Sequence, residues 1–207
     1  MAPARVRPAL QALWDIDLAL ANIHSTNITP RLGEIRLAWW RERLEELDRG
    51  IVPPAEPRLR AVAEYLIPAG ITGADLSRLE DPWLVLLNPY PWGETEADAV
   101  RQRGAILFGL VARLLGRDAA EGESLGAAWS LADAARYIDD PESHAILRNR
   151  AELAIAALPP RRNSSSELAP LRIMTLLSAY DLLHGERWWG RRLFDAFRYA
   201  VLGRMPQ

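Results

Sequence analysis

The sequence predicts an all-α protein, a single helical bundle over residues 1–207. Three observations support this class. The alternating apolar–polar runs of half-buried strands are absent, apolar residues recur at helical spacing, and helix start and stop signals follow one another along the chain. A chain of 207 residues is long enough to bury one sizeable core, and its length alone requires no second domain.

The first half of the chain is divided by proline and glycine. Pro30 follows Thr29 and suits the first position of a helix that Gly50 ends. Thr72 is placed to cap a short helix, and the two prolines of NPYPWG indicate a turn-rich connector. These signals predict helices over 5–24, 30–50, 57–67, 72–79 and 82–87.

The second half carries similar signals. Gly116 stops a long helix that contains Gly104 and Gly109, and glycine inside a helix suggests close approach of a neighbour. Ser124 is interpreted as a cap, and Asp140 followed by Pro141 as a cap with proline in the first turn. We therefore expect helices over 95–115, 124–138, 141–158, 166–184 and 186–202.

The helix around residues 32–47, LGEIRLAWWRERLEEL, has an unusual distribution of side chains. At 100° per residue its apolar side chains cover one broad arc, with Arg36 and Arg43 near the middle and Glu46 inside the edge. Cations amid tryptophans either line an anion-binding cavity or form internal ion pairs, here with Asp17 and Glu46. The apolar members of the arc are Leu32, Ile35, Leu37, Trp39, Trp40, Leu44 and Leu47.

Composition excludes several classes of function. The net charge is −2, which argues against nucleic-acid binding driven by overall charge. There is no cysteine and no lysine, so thiolate and Schiff-base chemistry are absent. Neither a signal-peptide core nor an apolar run near 18 residues is present. We expect a cytoplasmic protein that contacts the inner membrane at most peripherally.

Several segments together resemble the squalene/phytoene synthase family. The segments are ALWDIDLALANI, IRLAWWRERLEEL, GAILFGLVARLLG, GAAWSLADAARYIDD, PLRIMTLLSAYDLLHG and RLFDAFRYAVLGR, in this order. The resemblance implies a helical bundle of the isoprenoid synthase type. Active members of that family join two prenyl diphosphates, with Mg²⁺ held by two aspartate-rich motifs that neutralise the leaving groups.

Both motif positions are degenerate in this chain. The first motif falls on residues 21–25, where Ala21, Asn22 and Ser25 replace its aspartates, and those of the second fall on Tyr137 and Pro141. The resemblance therefore implies a short member like the non-catalytic complex I assembly branch, without a cofactor. Such a protein would bind a partner protein or a prenyl or lipid-like ligand. The alternative is an active prenyltransferase.

The candidate ligand-binding residues are Arg36, Trp39, Trp40, Arg43 and Arg136. Each has a structural alternative: the tryptophans suit a core, and Arg136 suits an ordinary pair with Asp133.

If the protein is active, its Mg²⁺ ligands would be Asp133, Asp139 and Asp140. Asp139 and Asp140 equally suit capping of the next helix. Asp181 lies on an almost wholly apolar helix and needs an arginine partner, for which Arg191 and Arg192 are candidates. The Trp188 and Trp189 face with its arginines would meet an anionic membrane or pack on the bundle.

Overall fold

A computed structural model describes residues 4–25, 29–160 and 165–184, excluding the side chains of Ser25 and His184. Over these ranges the protein is an all-α bundle with no strand, which confirms the predicted fold class. The predicted helix over 186–202 lies outside the described residues. The helices are α1 (Arg7–Ser25), α2 (Pro30–Asp48), α3 (Pro57–Ala61, continued by a π-helical turn, Val62–Leu66), α4 (Gly73–Ser77), α5 (Glu80–Val85), α6 (Glu94–Leu114), α7 (Ala119–Tyr137), α8 (Pro141–Ala156) and α9 (Ala169–His184).

Most predicted helix starts are confirmed. Pro30 is the first residue of α2. Thr72 and Asp75 form a reciprocal capping box on α4, each side chain accepting a hydrogen bond from the other residue's backbone N–H. The Asp140 carboxylate accepts the Ser143 backbone N–H at 2.8 Å, at the start of α8.

The predicted start of α7 at Ser124 is wrong. The helix begins at Ala119, and Asp118 caps it by accepting the Ala120 backbone N–H at 3.1 Å. Ser124 lies inside the helix, where its hydroxyl donates to the Ala120 carbonyl at 3.0 Å. A serine bonded to the carbonyl four residues back is compatible with a helix interior, so its presence did not mark a boundary.

Helices α6 and α7 make the most extensive contact between described helices. A Cβ built on Gly104 would lie 2.1 Å from the Gly126 carbonyl oxygen, and one built on Gly126 would lie 1.9 Å from that of Gly104. The two backbones therefore touch where only glycine fits. Leu107 and Phe108 are fully buried beside this contact. Helices α8 and α9 pack mainly on α7, whereas α1 and α5 pack on α6.

Substitution of alanine for Gly104 tests the backbone contact. Gly104→Ala should destabilise the protein by about 2–4 kcal/mol because backbone atoms of α7 cannot move aside locally. Gly109→Ala on the same helix is the matched control. Its Cβ would meet the flexible Glu123 side chain at 2.9 Å, and alanine favours helix by about 1 kcal/mol. Urea denaturation of both variants measures the difference, and equal losses would contradict the assignment.

Candidate functional site

The apolar arc of α2 consists of two rows with different environments. One row is buried against the bundle and contains Gly33, Leu37, Trp40, Leu44 and Leu47. The second, which we call the outer row, contains Leu32, Ile35 and Trp39 and is exposed to solvent. A helical wheel joins the two rows because it contains no information about where neighbouring helices lie. The packing of α4 and α5 on α2 supplies that information.

An open groove lies where α1, α2 and α3 meet, and we call it the α1–α2 groove. Its volume is about 300 Å³. It brings together Arg36, Trp39 and Trp40, three of the predicted ligand-binding residues, with Asn22 from the first degenerate motif. Arg58 of α3 also lines it and was missed, because nothing in the local sequence of α3 relates it to α2. The remaining lining residues are Ala19 and Ile23.

The two arginines of the groove differ in their bonding. Arg58 donates to a Glu56 carboxylate oxygen at 3.2 Å. The Arg36 side chain is exposed and forms no ion pair with any residue in the described part of the chain. Trp40 is buried behind it, and the Trp39 ring stands edge-on to Trp40 at 5.2 Å between centroids. The groove thus offers a guanidinium that no described residue pairs with, next to indole surface.

Arg43 is not part of this groove. Its Nη2 lies 2.9 Å from a Glu46 carboxylate oxygen, which confirms the predicted pair, and 3.6 Å from one of Glu42. The arginine is therefore engaged along its own helix. Of the predicted ligand-binding arginines, Arg36 alone lines the groove.

The predicted pairing of Asp17 with Arg36 is wrong, because Asp17 binds Arg103 of α6. Arg103 donates from Nε at 2.9 Å and from Nη2 at 2.5 Å to the two Asp17 carboxylate oxygens, and Trp83 adds its indole N–H at 3.3 Å. The Arg103 guanidinium carbon also lies 4.7 Å from the centroid of the Trp83 ring and 5.5 Å from that of Trp129. Arg103 lies 86 positions after Asp17, beyond the reach of sequence spacing.

A second internal ion cluster joins α7 to α9. Arg136 lies 3.1 Å from a carboxylate oxygen of Asp181, whose side chain is fully buried, and 3.6 Å from one of Asp133. The candidate partners Arg191 and Arg192 lie outside the described residues. Burial raises the pKa of Asp133, and the nearby Arg136 and Arg103 charges oppose that shift. Arg136 thus belongs to this cluster and does not line the α1–α2 groove.

Two of the three carboxylates considered for Mg²⁺ have other partners. Asp140 accepts the Ser143 hydroxyl at 2.6 Å as well as its backbone N–H, Asp139 is exposed, and Asp133 faces Arg136. Their arrangement fits capping and ion pairing rather than shared ligation of one ion. At the degenerate positions, Ala21 is half-buried in the last turns of α1, Tyr137 is exposed at the end of α7, and Pro141 opens α8.

Comparisons with protein-family models, with curated proteins and with solved structures find no match to this chain. Within residues 4–25, 29–160 and 165–184, no helix combines the length and the apolar character needed to cross a bilayer. The same ranges contain no group of three histidine or acidic side chains positioned to hold a metal ion. The candidate site is therefore defined by its own geometry, which is that of the α1–α2 groove.

A double-mutant cycle tests the buried pair of Asp17 and Arg103. Asp17→Ala should cost about 3–5 kcal/mol of unfolding free energy, because it leaves a mostly buried guanidinium without its counterion. The cycle with Arg103→Ala should show coupling of more than about 1 kcal/mol, and the cycle with Arg36→Ala should show coupling near zero. Coupling of Asp17 with Arg36 in urea denaturation would overturn the assignment.

The raised pKa of Asp133 predicts a pH dependence with a definite sign. Because the folded protein holds this proton more tightly than the unfolded chain, stability falls as pH rises from the ordinary aspartate value of 3.8 through the raised folded pKa. The stability of wild type relative to Asp133→Asn should therefore decrease over that interval and level off above it. Chemical denaturation of both proteins from pH 3.5 to 7 measures this, and a difference that grows with pH would contradict it.

Proposed function

We propose that this protein is a non-catalytic binding protein of the squalene/phytoene synthase type, which takes an anionic prenyl or lipid-like ligand in the α1–α2 groove. The observation that carries the proposal is the Arg36 guanidinium, which forms no ion pair with a described residue and lies beside Trp39 and Trp40. A guanidinium binds phosphate or carboxylate oxygens in a bidentate manner, and indole rings offer apolar surface for a hydrocarbon chain. A ligand with an anionic head group and a hydrocarbon chain can therefore contact both the guanidinium and the indole rings of the groove.

The bonding of the other arginines supports Arg36 as the anion-binding group. In the internal ion-pair alternative Arg36 would neutralise the buried Asp17, but Arg103 already neutralises it with two hydrogen bonds. Glu46 is likewise occupied by Arg43. Arg36 is thus a cation that no described residue neutralises, and it lines a groove of about 300 Å³.

The absence of prenyl transfer is proposed from the residues at the motif positions. Ionisation of an allylic diphosphate requires several negative charges to be neutralised, which carboxylate-bound Mg²⁺ does in active members of the family. Ala21, Asn22 and Ser25 supply no carboxylate in the first motif, and Tyr137 and Pro141 supply none in the second. The groove would therefore hold its ligand without activating the leaving group. A role in assembly of a larger complex is compatible with such binding.

Binding of farnesyl diphosphate tests this proposal. Titration calorimetry should detect binding to the wild type, and Arg36→Ala should weaken it about tenfold or more by removing charge-assisted hydrogen bonds. Arg31→Ala removes an exposed arginine of the same helix that does not line the groove, and it should bind like the wild type. Inorganic diphosphate and farnesol, titrated separately, assign the affinity to the head group or to the chain.

A turnover assay separates the proposal from an active prenyltransferase. Farnesyl or geranylgeranyl diphosphate is incubated with the protein and Mg²⁺, and diphosphate release and prenyl products are measured. If the wild type releases diphosphate and Asp133→Asn or Asp140→Asn abolishes that release, the protein is a prenyltransferase and the proposal of a non-catalytic binding protein is wrong. If Arg36→Ala and Arg31→Ala weaken ligand binding equally, the binding site is not the α1–α2 groove.

A further inference from the structure

The outer row of α2 is an unusual surface for a folded helix. Leu32, Ile35 and Trp39 follow one another at spacings of three and four residues and are 40%, 59% and 40% exposed. Trp39 also lines the α1–α2 groove, so the row and the groove share one side of the molecule. On α1, Leu18 is 55% exposed and lies one turn before Asn22, another groove residue. Four exposed apolar side chains of the described residues thus lie on α1 and α2 next to the groove.

The charge on this side is positive. Arg36 lies between the outer row and the buried row, and Arg31 lies one turn before Ile35; both are exposed, and neither forms an ion pair with a described residue. The acidic residues on the same side, Glu42 and Glu46, are both within ion-pair distance of Arg43. Glu34, which precedes Ile35, is also exposed, but it lines a different cleft of α2 together with Arg41. Among the described residues, the unpaired charges on the side of the outer row are therefore those of Arg31 and Arg36.

The size of the surface distinguishes between possible partners. From Leu32 to Trp39 the row extends about 10 Å along one convex helix. A stable protein interface needs about 800 Å² on each partner, well beyond three side chains in a row. Weak attachment to a lipid surface requires a smaller contact area than a protein interface. It needs an apolar row that inserts at the boundary of the acyl chains, an indole at the level of the head groups, and arginines that bind lipid phosphates.

From these observations we propose that α2 lies on an anionic membrane surface, with the outer row inserted and Arg31 and Arg36 bound to lipid phosphates. In this orientation the α1–α2 groove opens toward the lipid head groups. An amphipathic ligand would then enter the groove without crossing water. The docking itself depends on the outer row and does not require that the groove binds the proposed ligand.

Vesicle flotation tests the docking surface on the full chain. The wild type should bind vesicles of phosphatidylcholine with phosphatidylglycerol, bind pure phosphatidylcholine vesicles weakly, and dissociate as salt is raised. Ile35→Ser should lower the partition coefficient about tenfold, since the inserted side chain becomes polar. Leu153→Ser is the matched control: Leu153 is 61% exposed on α8, away from the groove, and its loss should leave binding unchanged.

Several outcomes would overturn the proposal. The wild type could bind neither kind of vesicle, or bind both equally well. Ile35→Ser and Leu153→Ser could lose vesicle binding to the same extent. Finally, the double variant Trp188→Ser/Trp189→Ser could lose vesicle binding while Ile35→Ser retains it. A dimer in light scattering that Ile35→Ser converts to a monomer would assign the row to self-association instead. Ile35→Ser should still bind farnesyl diphosphate, so failure of the membrane proposal is distinguishable from failure of the groove proposal.

Discussion

The buried ion pair between Asp17 and Arg103 is the interaction on which the arrangement of the site depends. It links α1 to α6, and its aromatic neighbours extend the contact to α5 through Trp83 and to α7 through Trp129. A carboxylate that is only 3% exposed would be unstable without such a partner. Because two hydrogen bonds from Arg103 satisfy it, α1 is held against the central helices and Arg36 is left at the surface.

Other buried carboxylates of the described bundle are also paired with an arginine. Glu80 is buried beside α2 and lies 3.3 Å from Arg41, and Asp181 lies 3.1 Å from Arg136. The absence of lysine makes guanidinium the counterion in each case. Guanidinium suits this role, because it keeps its charge on burial and presents several donors in one plane. These pairs cost desolvation free energy, so their value lies in fixing which helices meet as much as in stability.

Local chemistry explains how much of the fold was predictable. Prolines, glycines and capping residues act within a few positions of a helix end, which is why α2, α4 and α8 were placed within a few residues from sequence. The start of α7 was missed because Ser124 bonds a carbonyl inside the helix. The contact between Gly104 and Gly126 could be predicted only in part. A glycine inside a helix indicates that another helix approaches closely, but nothing in the sequence of α6 identifies that helix.

In the candidate site, the residues of one helix were predictable from the sequence and those of other helices were not. Arg36, Trp39 and Trp40 belong to one helix, so helical spacing predicts their proximity. Only the tertiary fold brings Arg58 to the groove and Arg103 to its partner Asp17. Because Arg103 pairs with Asp17, Arg36 does not take the internal ion pair that was one of its two alternatives, and it lies exposed on α2. Since Asp17, Asp133 and Asp181 lie near Arg103 or Arg136, the interior neutralises its acids with its own arginines. Among the described residues, the α1–α2 groove therefore keeps an unpaired cation, Arg36, for the proposed anionic ligand, on the side of the molecule that also exposes the outer row.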